Sequence, residues 1–209
     1  MNLPNALTAS RLVLAGVLIA LLFSGVPFGA SFALAVFAVA AVTDALDGRL
    51  ARRVYGVTAL GALIDPLADK VLVSAALVSF VQLQLLPAWI VVVILAREFF
   101  VTGLRVLAAG HGRSIAAGAW GKHKTAWQLV VIVTLLAGLV VQRDVLPRVA
   151  PERLVAFTPW FEAVAFVVGV AAALITVASG GIYVHRHRDL LRAGDSGPGD
   201  SGCGPAGAR

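Results

Sequence analysis

Charge is what this sequence has least of. Of 209 residues only 13% are Asp, Glu, Lys or Arg, while 59% are hydrophobic. Soluble domains carry about one-quarter charged residues. A soluble fold of this length would lack the polar surface needed to cover its core, so that class is excluded. Cysteine is nearly absent as well. The single Cys203 has no intrachain partner, which excludes a disulfide-stapled fold. The basic start and small-residue cleavage site of a signal peptide are missing before the first apolar stretch, so that stretch is expected to stay as a membrane anchor. Acids are scarce too, 11 against 17 Lys and Arg, for a net charge of +6. With no solvated domain to display a basic face, this excess reads as membrane orientation and anionic-lipid contact, and nucleic acid is excluded as a partner.

What is present is a series of apolar windows of membrane-spanning length, about 20 residues each. Six segments are drawn at 7–24, 31–52, 59–83, 87–109, 122–141 and 160–183, punctuated by Gly25, Pro27, Tyr55, Gly56 and Pro87. The expected architecture is an all-α integral membrane fold of six transmembrane helices with an N-terminal interfacial helical stretch. One membrane-embedded domain covers residues 1–190. The Gly-, Ser-, Pro- and Asp-rich 191–209 reads as a disordered cytoplasmic tail. Residues 142–159 read as a loop without a motif. If six helices alternate, Arg11, Arg49, Arg52, Arg53, Arg105, Arg113, Lys122, Lys124, Arg186, Arg188 and Arg192 fall on one side, and only Arg143, Arg148 and Arg153 on the other. The positive-inside rule then makes both termini cytoplasmic. Trp89, Trp120, Trp127 and Trp160 fall near span ends, where interfacial belts form.

Asn2-Leu3-Pro4-Asn5 reads as a helix start, and Asn5, Thr8 and Arg11 recur at i, i+3 and i+6 as a polar stripe. More informative are four acids inside apolar segments, where each charge costs roughly 2.5–3.5 kcal/mol. Asp44 and Asp47 are spaced i, i+3 near the end of the second segment; Asp65 and Asp69 are spaced i, i+4 early in the third. Each pair shares a helix face, and a short turn between the helices brings the pairs together as antiparallel neighbours. Four clustered anions would repel and take up protons unless a cation neutralised them. Oxygen-only ligation, with no Cys or His, favours magnesium, manganese or calcium over zinc. The alternative is buried ion pairing with Arg52, Arg53 or Lys70, although Arg52 and Arg53 are better placed to reach phosphates. Gly48, Ala51 and Gly61 leave room beside the acids, either for helix packing or for a bulky ligand.

Written out, the stretch is Asp44-x-x-Asp47-Gly48-x-x-Ala51-Arg52, eight residues, Gly61-x-x-x-Asp65-x-x-x-Asp69. It resembles the signature of the CDP-alcohol phosphatidyltransferase family at every fixed position. The wider chain, over about residues 2–185, is similar to the bacterial branch that makes phosphatidylglycerophosphate. Supporting stretches are Leu63-Ile64-Asp65-Pro66-Leu67-Ala68-Asp69-Lys70, Arg97-Glu98-Phe99, Gly103-Leu104-Arg105 and Gly121-Lys122-His123-Lys124-Thr125.

The resemblance implies the CDP-alcohol phosphatidyltransferase fold and transfer of the phosphatidyl group of CDP-diacylglycerol to an alcohol, with release of CMP. It implies two Mg2+ or Mn2+ ions, held by Asp44, Asp47 and Asp65 with Asp69 sharing the site, and makes Asp69 the general base. Gly48, Ala51, Arg52 and Gly61 then form the CDP-diacylglycerol pocket together with Asn5 and Thr8. Arg97, Arg105, Lys122 and Lys124 add positive charge on the same side, which suits the phosphate of glycerol 3-phosphate as acceptor, attacked through its sn-1 hydroxyl. Arg97 lies within a span and needs an anion, either that phosphate or Glu98. Cardiolipin synthase and phosphatidylinositol-phosphate synthase are the alternatives within the family. A membrane prenyltransferase would need a second Asp-rich motif, and a cation channel would spread its acids across the membrane; neither pattern is present. By resemblance the protein is a homodimer in the bacterial inner (cytoplasmic) membrane, multi-pass, with its active site facing the cytoplasm. No histidine is assigned a catalytic role.

Overall fold

The computed structural model describes residues 3–50, 59–110 and 119–186, without the side chains of 3–8, 44–50, 59–69, 105, 107–110, 119–126 and 184–186. Ala51 and Arg52, the connection around Tyr55 and Gly56, and the tail expected to be disordered lie outside the described residues. Among the described residues every regular element is helical: α1 Leu3–Phe23, α2 Gly29–Leu50, α3 Ala59–Gln82, α4 Ala88–Gly110, α5 Ala119–Leu139, a short α6 Leu146–Val149 and α7 Leu154–Arg186. Among the described residues, long helices overlap the apolar segments drawn from the sequence. The N-terminal stretch expected at the interface is continuous with α1, and Pro4 sits in its first turn, where a missing N–H costs nothing.

The stretch 142–159, read as a loop, is instead helical almost throughout. A π-turn at Val140–Val145 continues α5, α6 follows, and a 3-10 turn at Pro151–Arg153 leads into α7, which therefore begins at Leu154. Only Ala150 leaves the helical region, at φ −152° and ψ 68°. It precedes Pro151, whose ring disfavours an α conformation in the residue before it. Sequence periodicity missed this region because Arg143, Asp144, Arg148, Glu152 and Arg153 interrupt the apolar pattern without stopping the helix.

The helices are apolar on the outside as well as the inside. Phe37, Phe80, Leu18, Leu77, Ile90, Ile94, Ile132 and Leu135 form the buried centre, yet Val13, Val39, Val78, Val92, Val167 and Leu174 are more than half exposed at mid-helix. Exposed apolar surface on this scale needs an apolar surrounding. Two stretches, Trp127–Val149 and Pro151–Tyr183, are long and apolar enough to cross a membrane, at 23 and 33 residues. Trp89, Trp127 and Trp160 are exposed. Within the bundle α1 packs against α3 and α2, and α7 packs against α4 and α5. The close pairing of α2 with α3 expected at the carboxylates rests on side chains outside the description.

The turns are closed by ordinary backbone devices. At the end of α3, Gln84 takes a left-handed φ of 61°. Leu85 N donates to Phe80 O at 2.9 Å and Gln84 N to Val81 O at 3.0 Å, which together satisfy two terminal carbonyls in a Schellman motif. Between α1 and α2, Gly25 and Phe28 are left-handed at φ 67° and 60°. For Phe28 this conformation is unfavourable, and the Arg148 guanidinium lies 4.1 Å from its ring centroid, a cation–π contact that offsets part of that cost.

Candidate active site

The two ends of the bundle differ in chemistry. One end is marked by a cleft of about 440 Å³ lined by residues of the α1–α2 turn together with Leu83, Arg143, Asp144 and Arg148. The start of α3 is therefore at the other end, with Asp69 about 21 Å from Leu83 at 1.5 Å per residue. Asp44, Asp47 and Gly48 lie in the last two turns of α2, and Gly61, Asp65 and Asp69 in the first three turns of α3. Asn5 and Thr8 lie in the first two turns of α1, Lys122 and Lys124 early in α5, and Arg105 two turns beyond Glu98 in α4. These are main-chain placements; the side chains of these residues are not described. Among the described side chains, which do not include those of the four aspartates, no three potential metal ligands gather.

Next to this region the described side chains begin with an ion network. Lys70, which follows Asp69 in α3, places Nζ 2.8 Å from Glu98 Oε2 in α4. Arg97 Nη1 is 3.6 Å from Glu98 Oε1. Glu98 is 4% exposed, so its charge depends on these cations. Arg97 also packs against α7, where a Cβ on Gly180 would stand 3.1 Å from Arg97 Cγ. Both ideas raised for Arg97 bear on this geometry. Glu98 does accompany it, and the same carboxylate is shared with Lys70, an acid–base pairing that the sequence had suggested only for the aspartates.

Further polar groups line the interior at this level. Ser179 Oγ donates to Thr176 O at 2.9 Å, closing its hydrogen bond within α7. Ser74 Oγ and Gln128 Nε2 are buried with no partner among the described residues. Gln128 and Thr176 edge a cavity of about 10 Å³, room for about one water, between Leu77, Ile94, Val131 and Ala172. Sequence reasoning missed Ser74, Gln128, Thr176 and Ser179. Each is a single polar residue in an apolar run, the one signal that was available.

The opposite end has a second polar constellation, which is structural. The buried Asp144 Oδ2 accepts from Ser31 N at 2.7 Å and Ser31 Oγ at 2.6 Å. Arg143 Nη1 donates to Leu22 O at 3.1 Å, and Arg148 Nη1 donates to Asp144 O. An acid thus meets the start of α2, and a cation meets the end of α1, each the sign that the helix dipole favours. The π-turn brings two adjacent residues of opposite charge to two adjacent helix ends.

Over residues 1–178 the chain matches the family model described as CDP-alcohol phosphatidyltransferase. It is 37% identical over 203 residues to the CDP-diacylglycerol–glycerol-3-phosphate 3-phosphatidyltransferase of Bacillus subtilis, covering 91% of this chain and 97% of that protein. A probable phosphatidylglycerophosphate synthase of Mycobacterium tuberculosis is 41% identical over 189 residues, 88% of this chain and 81% of that one. A Pseudomonas fluorescens protein with the same name as the Bacillus one is 43% identical over 147 residues, 66% of this chain and 73% of its own length. With the Asp44–Asp69 signature intact and the match running from the first helix into the last, this chain belongs to the CDP-alcohol phosphatidyltransferase family.

Proposed function

We propose that this protein is a CDP-diacylglycerol–glycerol-3-phosphate 3-phosphatidyltransferase, which makes phosphatidylglycerophosphate and CMP in phospholipid biosynthesis. The observation that carries this reading is the likeness, nearly end to end, to a relative named for that reaction. The unbroken eight-residue signature supports it.

In the reaction the sn-1 hydroxyl oxygen of glycerol 3-phosphate forms a bond to the phosphatidyl phosphorus. The bond from that phosphorus to the oxygen of CMP breaks, and CMP leaves with the electron pair. Asp69 takes the hydroxyl proton as general base. Asn5, Thr8, Gly48, Ala51, Arg52 and Gly61 hold CDP-diacylglycerol, with Arg52 on phosphate oxygens. Arg97, Arg105, Lys122 and Lys124 hold the acceptor phosphate.

The donor set suits a hard divalent cation. Asp44, Asp47, Asp65 and Asp69 offer oxygen alone. Four carboxylates gathered at one site repel one another unless a cation neutralises them. Two Mg2+ or Mn2+ ions held by these residues would supply neutralisation of the pyrophosphate and of the leaving phosphate. The exposed apolar helix faces and the bias of basic residues support six spans, an inner-membrane location and an active site facing the cytoplasm. A homodimer is proposed from family resemblance.

The test uses purified protein with CDP-diacylglycerol and, separately, glycerol 3-phosphate, phosphatidylglycerol and inositol phosphate, reading CMP release. Turnover is expected with glycerol 3-phosphate; release with another acceptor alone overturns the assignment. Asp69→Asn is expected to abolish turnover while nucleotide still binds, and retained turnover removes Asp69 from the role of base.

A further inference from the structure

Glu98 is buried, charged and without a role in the reaction as written. It sits in α4 between Lys70 of α3 and Arg97, with carboxylate oxygens 2.8 Å and 3.6 Å from their nitrogens. Arg97 is confined from the other side by α7, since only 3.1 Å separates its Cγ from where a Cβ on Gly180 would be. A guanidinium on a flexible stem loses rotamer freedom when it is ordered. Here a carboxylate and a bare glycine backbone meet that cost before any ligand arrives. Lys70 adjoins Asp69, so the same carboxylate ties α4 to the turn of α3 that bears the proposed base.

We propose that Glu98 is a positioning residue for the acceptor phosphate: it holds Arg97 preorganised against the Gly180 notch and couples that guanidinium through Lys70 to the carboxylate-bearing turn of α3. This rests on the reading that the acceptor carries a phosphate. A purely structural ion pair would have the same distances, so the test separates affinity for each substrate from folding.

The full-length protein in detergent is assayed for CMP release while CDP-diacylglycerol and glycerol 3-phosphate are varied independently. Glu98→Gln keeps the shape and removes the charge. It is expected to raise the KM for glycerol 3-phosphate by about tenfold, the loss of one charge-assisted contact, and to leave the KM for CDP-diacylglycerol unmoved. Glu98→Asp, which keeps the charge on a shorter stem, should fall between the two. Gly180→Ala leaves every charge in place and pushes on the Arg97 stem, and it should raise the same KM selectively. If Glu98→Gln does not fold, Gly180→Ala decides alone: a selective rise supports the proposal, and an unmoved KM overturns it. Parallel changes in both KM values, accompanied by a lower melting temperature, also overturn it, since a structural ion pair acts that way. Wild-type turnover on phosphatidylglycerol but not on glycerol 3-phosphate would sink the acceptor assignment and this proposal together. Wild-type turnover on glycerol 3-phosphate with unmoved variants sinks the role of Glu98 alone.

Discussion

Replacing Asp144 by Ala removes the only described contact through which an acid reaches the start of α2. That helix has no acid in its own first turn, and Ser31, its third residue, donates both its backbone N–H and its hydroxyl to Asp144 Oδ2. A hydrogen bond to a charged group contributes about 1.5–3 kcal/mol net. The charge at the helix start adds about 0.3–1 kcal/mol. Because both bonds share one oxygen they do not count twice, and a loss of roughly 2–4 kcal/mol is expected. Asp144→Asn keeps an accepting oxygen and loses the charge, so about 1 kcal/mol is expected. Ser31→Ala removes one donor and leaves the backbone bond, again about 1 kcal/mol. Thermal unfolding in mild detergent, followed by tryptophan fluorescence, should rank the variants Ala below Asn below wild type. The scale is about 2–4 °C for each kcal/mol in a chain of this size. Turnover at low temperature should persist, because the carboxylate region is at the other end of the bundle. An Asp144→Ala protein that melts with wild type, or an Asn variant that falls as far as Ala, refutes the capping account.

Two further outcomes follow from the packing and the donor set. Gly138 faces the edge of the buried Phe161 ring, where an added Cβ would overlap its atoms. Gly138→Ala should destabilise the α5–α7 contact by about 1–3 kcal/mol, and Phe161→Leu in the same chain should recover part of the loss; a Gly138→Ala protein as stable as wild type would show that the helices separate freely. Removing divalent cations with EDTA should stop CMP release, and adding Mg2+ or Mn2+ should restore it, whereas full turnover in excess chelator would contradict the proposed carboxylate chemistry.

The candidate site is a reading of spacing, whose signal is local. Asp44 and Asp47, or Asp65 and Asp69, share a face through helix geometry alone, and acids in apolar runs stand out by their cost. The long helices were legible for the same reason: a sustained apolar run needs no knowledge of its neighbours. Residues 142–159 were not, since the charges there have partners far away in sequence. Asp144 bonds Ser31 across 113 positions and Arg143 bonds Leu22 across 121. The pairing of Lys70 with Glu98 was not legible either, since it joins residues of two different helices.

By itself, then, the sequence determined an apolar helical chain with four acids at fixed spacing, since helical periodicity and the cost of burying charge act within a few residues. Only the tertiary structure decided which helix ends Arg143 and Asp144 cap, that Glu98 stands between Lys70 and Arg97, and that Gly180 leaves room for the Arg97 stem. Those pairings depend on which helices pack side by side and in what rotation, a choice made by the summed fit of many apolar contacts.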